Sequence, residues 1–183
     1  MKYWVLAATV LATTAAGAQT MSLRDLRGML YPDARAEVEI LPKDYLPADQ
    51  AALLRQVGAQ QAYYGAIAIS PDEGIMVEAT VAAANYHNTE AASAAALRDC
   101  NARRKGARDC EIVGYIRPAG WSEKPVQLSQ AATAAFLGDF RGNGPKAFAI
   151  SPTTGEWGLA KGEGAAAEAV AQCGADCQVL VQN

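Results

Sequence analysis

Apolar residues recur along this chain with two periods, and the changes of period mark its elements. Between Gln50 and Gln61, Leu54, Val57 and Gln61 fall on one side of a helix with Leu53 beside them, a narrow stripe at helical spacing. Gly58 costs that helix about 1 kcal/mol relative to alanine, which predicts an end there. Tyr64 to Ile69 and Ile75 to Val81 are short apolar or β-branched runs around Ser70-Pro71-Asp72-Glu73-Gly74. Proline extends Ser70 and sets the first turn angle, and Gly74 accepts a positive φ, so the pattern predicts a hairpin. Asn88 or Thr89 then caps an alanine-rich helix running to about Asn101. "CEIVGYI", from Cys110 to Ile116, follows as a strand. Ahead of all this, Leu23, Leu26 and Leu30 mark a short amphipathic helix, and Ala36 to Ile40 alternates like an edge strand before Pro42 and Pro47 break the path.

The same plan is spelled twice. "AIAISPDEG" at 66–74 returns as "AFAISPTTG" at 147–155, matching Ala66 with Ala147, Ile69 with Ile150, Ser70 with Ser151, Gly74 with Gly155 and, on the same offset, Ala79 with Ala160. Upstream, "QAALLRQVG" from Gln50 parallels "QAATAAFLG" from Gln130. Downstream, "EAASAAALRDC" ending at Cys100 parallels "EGAAAEAVAQC" ending at Cys173. The expected organisation is a leader over 1–18, an N-terminal helix and extended arm over 19–47, a first repeat over 48–116, a linker over 117–127 around Trp121, and a second repeat over 128–183. Helix, strand, strand, helix, strand within each repeat predicts an α+β fold: two tandem helix-hairpin-helix-strand units whose alanine-rich helices cover one face of antiparallel sheet, shared or separate.

Lys2, an apolar stretch of about nine residues and the small-x-small pattern Ala16-Gly17-Ala18 read as a removable export signal, with Gln19 as the new N-terminus. The stretch is too short to span a bilayer, for which about twenty residues are needed, and no second apolar run reaches that length. A periplasmic or secreted protein, not a transmembrane one, is expected. Loss of Lys2 from the 16 basic residues leaves 15 against 19 acidic ones, a formal −4 that argues against a general nucleic-acid binder.

Cys100, Cys110, Cys173 and Cys177 are an even set in a chain bound for an oxidising compartment, and their spacings match none of the usual zinc patterns. Cys100 near a helix end and Cys110 at the start of a strand are placed for one bridge, and Cys173 and Cys177 for a second. On the loop-entropy model the first contributes about 3 kcal/mol and the tighter second about 2. Linkage between the repeats would contradict two self-contained units.

Tyr64-Gly65-Ala66-Ile67-Ala68, the alanine-rich helix reaching a cysteine, and Asp109-Cys110 ahead of an apolar strand together resemble the secreted bacterial family called domain of unknown function 4189. The resemblance covers most of the first repeat, the second being a shortened, divergent copy. The tandem arrangement is similar to a group of alphaproteobacterial proteins, some labelled aminolevulinate synthase. Such a synthase resembles a large cytosolic enzyme with a pyridoxal phosphate lysine, and no motif for that cofactor stands here. What the resemblance implies is a fold and a compartment; it brings no catalytic residues with it.

His87 is the only histidine, within "NYHN", where the first repeat is longer than the second. Its reference pKa near neutrality suits a general base or ligand, but no nucleophile sits in a recognisable motif beside it, which favours an exposed or cap-adjacent loop histidine. Because the extra loop is not demanded by the architecture, Asn85, Tyr86, His87 and Asn88 are candidate binding residues. Asp72, Glu73 and Glu78 offer carboxylates, of which Glu78 with His87 is the candidate catalytic pair, but Thr153, Thr154 and Leu159 stand opposite them in the second repeat, and turns attract acids without chemistry. Arg98, Arg103, Arg104, Lys105 and Arg108 cluster around the first cysteine pair, either as an anion-binding surface or as complements to a helix C-terminus. Ser70 and Ser151 lie in no GxSxG elbow, and "GNG" and "GEG" are too short for phosphate loops. Trp121 and Trp157 read as packing residues. No cofactor or metal motif is found. The leading expectation is a non-enzymatic exported module that binds an envelope component or a protein partner through Asn85–Asn88 with Arg103, Arg104, Lys105 and Arg108. The alternative is an envelope hydrolase or transferase using His87 with a hairpin carboxylate.

Overall fold

Small and large residues alternate along the central strands, and this decides which helix covers which face. In the strand Gly65–Ile69, Ala66 and Ala68 point one way and Ile67 and Ile69 the other, and all four are buried. The computed structural model describes residues 21–183; the expected leader over 1–18 lies outside the described residues. The chain order is α1 (Leu23–Met29), β1 (Ala36–Ile40), α2 (Ala48–Gly58), β2 (Gly65–Ile69), β3 (Val81–Ala83), α3 (Thr89–Asn101), β4 (Glu111–Pro118), α4 (Gln130–Asp139), β5 (Lys146–Ile150), β6 (Trp157–Lys161), α5 (Ala165–Cys173) and β7 (Gln178–Gln182). They form an α+β fold with two separate antiparallel sheets, ordered β1-β4-β2-β3 and β6-β5-β7.

Each sheet has an alanine face and a bulky face. Helix α3 lays Ala92, Ala95 and Ala96 on Ala66 and Ala68, and α5 lays Ala165 and Ala169 on Ala147, Ala149 and Ala160. Alanine lets helix and sheet backbones approach closely. At Gly158 in β6, a Cβ would fall 1.9 Å from the Ala169 carbonyl oxygen, so no side chain fits beneath α5 at that point. The opposite faces supply most of the apolar area. Ile67, Ile69, Val113 and Ile116 pack with Leu54 of α2, while Phe148 meets Phe136, Phe140 and Leu26. The Phe136 ring stands edge-on to Phe148 at 5.3 Å, and Trp157 stacks on Phe148 at 5.7 Å. Burying each such side chain contributes about 1.5–3 kcal/mol. Disulfides Cys100–Cys110 and Cys173–Cys177, with Cα atoms 6.1 and 5.9 Å apart, fasten each alanine helix to the strand after it.

The two sheets share strand order and a register shift. Relative to β4, the slip in β2 falls between Ile67 and Ala68; relative to β7, that in β5 falls between Phe148 and Ala149. The hairpins differ. Only Ser151–Glu156 closes a tight turn, with β5 paired directly to β6 from Ile150 and Trp157. In the first half the expected strand Ile75–Val81 does not form: residues 71–80 make an irregular loop and pairing begins at Ala68 and Val81. The reason is packing, since Ile75 is drawn into the α2 side of the sheet and Ala79 into the α3 side, which no single strand of that register can do. The partner of Ala66 is Ala83 and that of Ala147 is Ala160, so Ala83, not Ala79, corresponds to Ala160. Strand β4 also runs through Arg117 and Pro118, residues expected in the linker.

Gly158→Ala is expected to lower stability by more than about 3 kcal/mol, because the obstruction is backbone on both sides and cannot yield. Gly74→Ala, where φ is +73° and the space is open, should cost only about 1 kcal/mol. Urea denaturation midpoints of the two variants check the difference.

Candidate functional site

The first turn of a helix carries amide groups with no partner inside the helix. In α4 these are satisfied from two directions. Ser129 is the N-cap, its Oγ accepting from the Ala132 amide at 3.2 Å. The Gln130 amide donates to the Tyr63 carbonyl at 2.9 Å, and the Ala131 amide to Asn85 Oδ1 at 3.0 Å. Asn85 reaches this position in a left-handed conformation, φ +64°, with its own amide on the Ala62 carbonyl. A residue of the first half thus caps a helix of the second.

His87 completes the joint. It is 2% exposed. The Ser129 amide donates to its Nδ1 at 3.0 Å, which fixes the proton on Nε2, and Nε2 lies 2.9 Å from the Glu156 carbonyl it donates to. Burial pushes its pKa below the ordinary value, only partly offset by the Glu156 carbonyl. With both ring nitrogens on backbone groups, the imidazole has no lone pair free to take a substrate proton. The neighbours are engaged in the same way. Tyr86 exchanges backbone hydrogen bonds with Tyr64, and Asn88 is the N-cap of α3, its Oδ1 accepting from Ala91 at 2.7 Å. From the other side Gly155 presses so close that a Cβ there would lie 1.8 Å from the Asn85 carbonyl oxygen. Glu78 is exposed on the irregular loop and is not among the residues lining the cleft that His87 reaches.

The basic segment is organised by the turn acids. Arg108 pairs with Asp72 at 2.6 Å, and the Arg108 amide donates to the same carboxylate at 2.9 Å. Glu73 accepts from the amides of Lys105 and Gly106, both at 3.0 Å. These hydrogen bonds hold both carboxyls below their ordinary range: the Arg108 amide leads for Asp72 and the Gly106 amide for Glu73. Arg104 folds back on the carbonyls of Gly106 and Ala107 and on Asp109. Arg98 pairs with the adjacent Asp99, and the side chains of Arg103 and Lys105 remain outward. In the second half the polarity is reversed. Ser151 and Thr153 on the turn donate to Asp176 in the disulfide loop at 2.7 and 2.6 Å, Thr153 leading in holding that carboxyl low.

Beside the joint opens a cleft of about 410 Å³, between the start of α3 (His87, Asn88, Glu90), the linker (Glu123 to Gln127) and the second sheet (Ile150, Pro152, Leu180). A neighbouring depression of about 250 Å³ shares Val126, Ile150, Pro152 and Leu180 with it and continues to Met21 and Val179. Sequence reasoning singled out His87 and Asn88 but none of the other lining residues, which are far apart along the chain and carry no motif.

His87→Phe should leave the Ser129 amide without its acceptor, while the Glu156 carbonyl loses one donor and keeps the Ser151 amide at 3.0 Å, at a cost of about 1–3 kcal/mol read by urea denaturation at pH 7.5. The histidine binds a proton more readily unfolded than folded, so its contribution is complete above the unfolded pKa of about 6.5 and is lost as pH falls from there towards the lower folded value. The wild type should therefore lose more stability than His87→Phe between pH 7.5 and pH 5. Separately, Glu73→Ala should speed hydrogen exchange at the Lys105 and Gly106 amides and leave β5 and β7 unchanged, as mass spectrometry of peptic fragments can show.

No curated protein and no solved structure matches the chain. The stretch from Tyr64 through α3, β4 and the start of α4, residues 64–134, holds His87 and Ser129 and is similar to the family described as Domain of unknown function (DUF4189).

Proposed function

We propose that this is an exported interaction module, periplasmic or secreted, built from two copies of one disulfide-pinned unit, and that it binds an envelope component or a protein partner in the cleft beside the joint. The observation that carries the reading is the cleft itself. It lies where the two halves meet, its volume of about 410 Å³ falls in the range of ligand sites, and its floor of Val126, Ile150 and Leu180 is apolar and only half-buried. The shared strand order and the register slip at matching places support the duplication. Two disulfides are compatible with an oxidising compartment, and no described helix is long and apolar enough to cross a membrane. The cleft is favoured over the basic segment because Arg104 and Arg108 are already committed to internal partners. Only Arg103 and Lys105 are left to offer charge there.

Capture from envelope extracts tests the site. With Pro152→Arg/Glu123→Arg, two exposed positions on the cleft, the recovered component should fall to background, while Arg103→Ser/Lys105→Ser should retain it. The reverse result would return the site to the basic segment, and equal recovery by both variants would reject the cleft. N-terminal sequencing of the secreted or periplasmic chain should begin at Gln19; an intact Met1 would reject export through this leader.

A further inference from the structure

Granted that the cleft binds a ligand, its lining says what kind. The floor made by Val126, Ile150, Pro152 and Leu180 runs through both depressions, from the start of α3 to Met21 beside β7. Two carboxylates line the first depression and not the second, Glu90 in the first turn of α3 and Glu123 on the linker. Both are exposed, and neither is in an ion pair among the described residues. No lysine or arginine lines either depression; Lys124, although next to Glu123 in sequence, is not on the cleft wall. The imidazole of His87 adds no positive charge at neutral pH, because burial keeps it neutral and its two nitrogens are held by Ser129 and Glu156.

An apolar trough with negative charge at one end and none positive is complementary to a ligand that combines apolar side chains with a cation. A small cation alone would leave the floor wet. A lipid surface is disfavoured, because its phosphate headgroups would meet Glu90 and Glu123 as like charges. An extended peptide satisfies both demands, since its apolar side chains fill successive parts of the floor while a Lys or Arg lies between the two carboxylates.

We propose that the cleft is a docking groove for an extended segment of a partner protein in which a basic residue flanks apolar ones, the basic residue seated at Glu90 and Glu123. The inference rests on the cleft being the binding site, and it adds the sign and form of the partner.

The probes are the synthetic peptides KLVKLVKL and ELVELVEL, added to the nitrogen-15-labelled chain from Gln19 onward, which contains every described residue. KLVKLVKL should shift the amide resonances of Val126, Ile150 and Leu180. Its dissociation constant should rise about tenfold in Glu90→Gln/Glu123→Gln, the scale expected for losing two partly screened charge contacts. Glu163→Gln/Glu168→Gln removes the same total charge away from the cleft and should change affinity by less than about twofold. Equal weakening by the two pairs would show non-specific attraction and overturn the proposal. Equal or tighter binding of ELVELVEL at the same resonances would overturn the assigned charge while leaving a binding cleft. Failure of both peptides to shift these resonances would overturn the peptide groove alone, because the capture experiment does not use them. Binding of phosphatidylglycerol vesicles at Val126 and Leu180 in place of KLVKLVKL would overturn it in favour of a lipid surface.

Discussion

A helix that starts inside a protein brings amide donors that must find acceptors, and each one left unmade costs about 1–3 kcal/mol. For α4 only one of those acceptors, the Ser129 hydroxyl, is local. The Tyr63 carbonyl and the Asn85 side chain come from the first half, and His87 accepts from the Ser129 amide itself. The first helix of the second half therefore has its full set of hydrogen bonds only when the 85–88 loop is already in place. The same imidazole holds the Glu156 carbonyl, and Gly155 leaves no gap against Asn85, so the turn between β5 and β6 is positioned by the same few atoms. Geometry elsewhere follows from this. The cleft exists because the start of α3 and the end of β5 are held at a fixed separation by a joint that occupies neither the floor nor the acidic rim.

Within each half a different constraint operates. Alternation of alanine with isoleucine or phenylalanine gives a strand two unlike faces, one allowing close approach and the other supplying buried area. A thin alanine interface contributes little of that area per residue, and both halves reinforce it with a disulfide and with a grip between the turn after the first strand and the disulfide loop. In the first half the turn provides the carboxylates, Asp72 and Glu73, and the loop provides donors. In the second the loop provides Asp176 and the turn provides hydroxyls. The mechanical role is retained while the charges change places, which accounts for Asp72 and Glu73 facing Thr153 and Thr154 in an alignment.

Local chemistry made much of the fold legible. Helical spacing, the Asn88 cap and the placement of the cysteines located α2, α3 and both disulfides, because each depends on residues within a few turns of one another. The run from Ile75 to Val81 misled because its apolar residues serve two different cores, a demand that arises only once two helices cover the sheet. "NYHN" stood out as the stretch with no counterpart in the second half, but its use as a joint was invisible. The partners of His87 lie 42 and 69 residues away and are backbone groups, which any sequence provides. The cleft was equally hidden. Glu90, Glu123, Ile150 and Leu180 are unremarkable where they stand in the chain, and only the joint assembles them.

The two kinds of fastening differ in what can undo them. The disulfides and the alanine interfaces do not titrate, so each half keeps its internal ties as the medium acidifies towards the carboxylate range. The joint depends on one imidazole staying neutral. Once protonated, Nδ1 would present a hydrogen to the Ser129 amide instead of a lone pair, while the bond to Glu156 would survive. Acid therefore acts on the bond between His87 and the α4 cap only below the ordinary histidine range, and the depressed pKa values of Asp72, Glu73 and Asp176 preserve the grips below the ordinary carboxylate range. The cleft is bounded by His87 and Asn88 on one side and by Ile150 and Pro152 on the other, so the residue that holds the α4 cap is also part of the cleft wall.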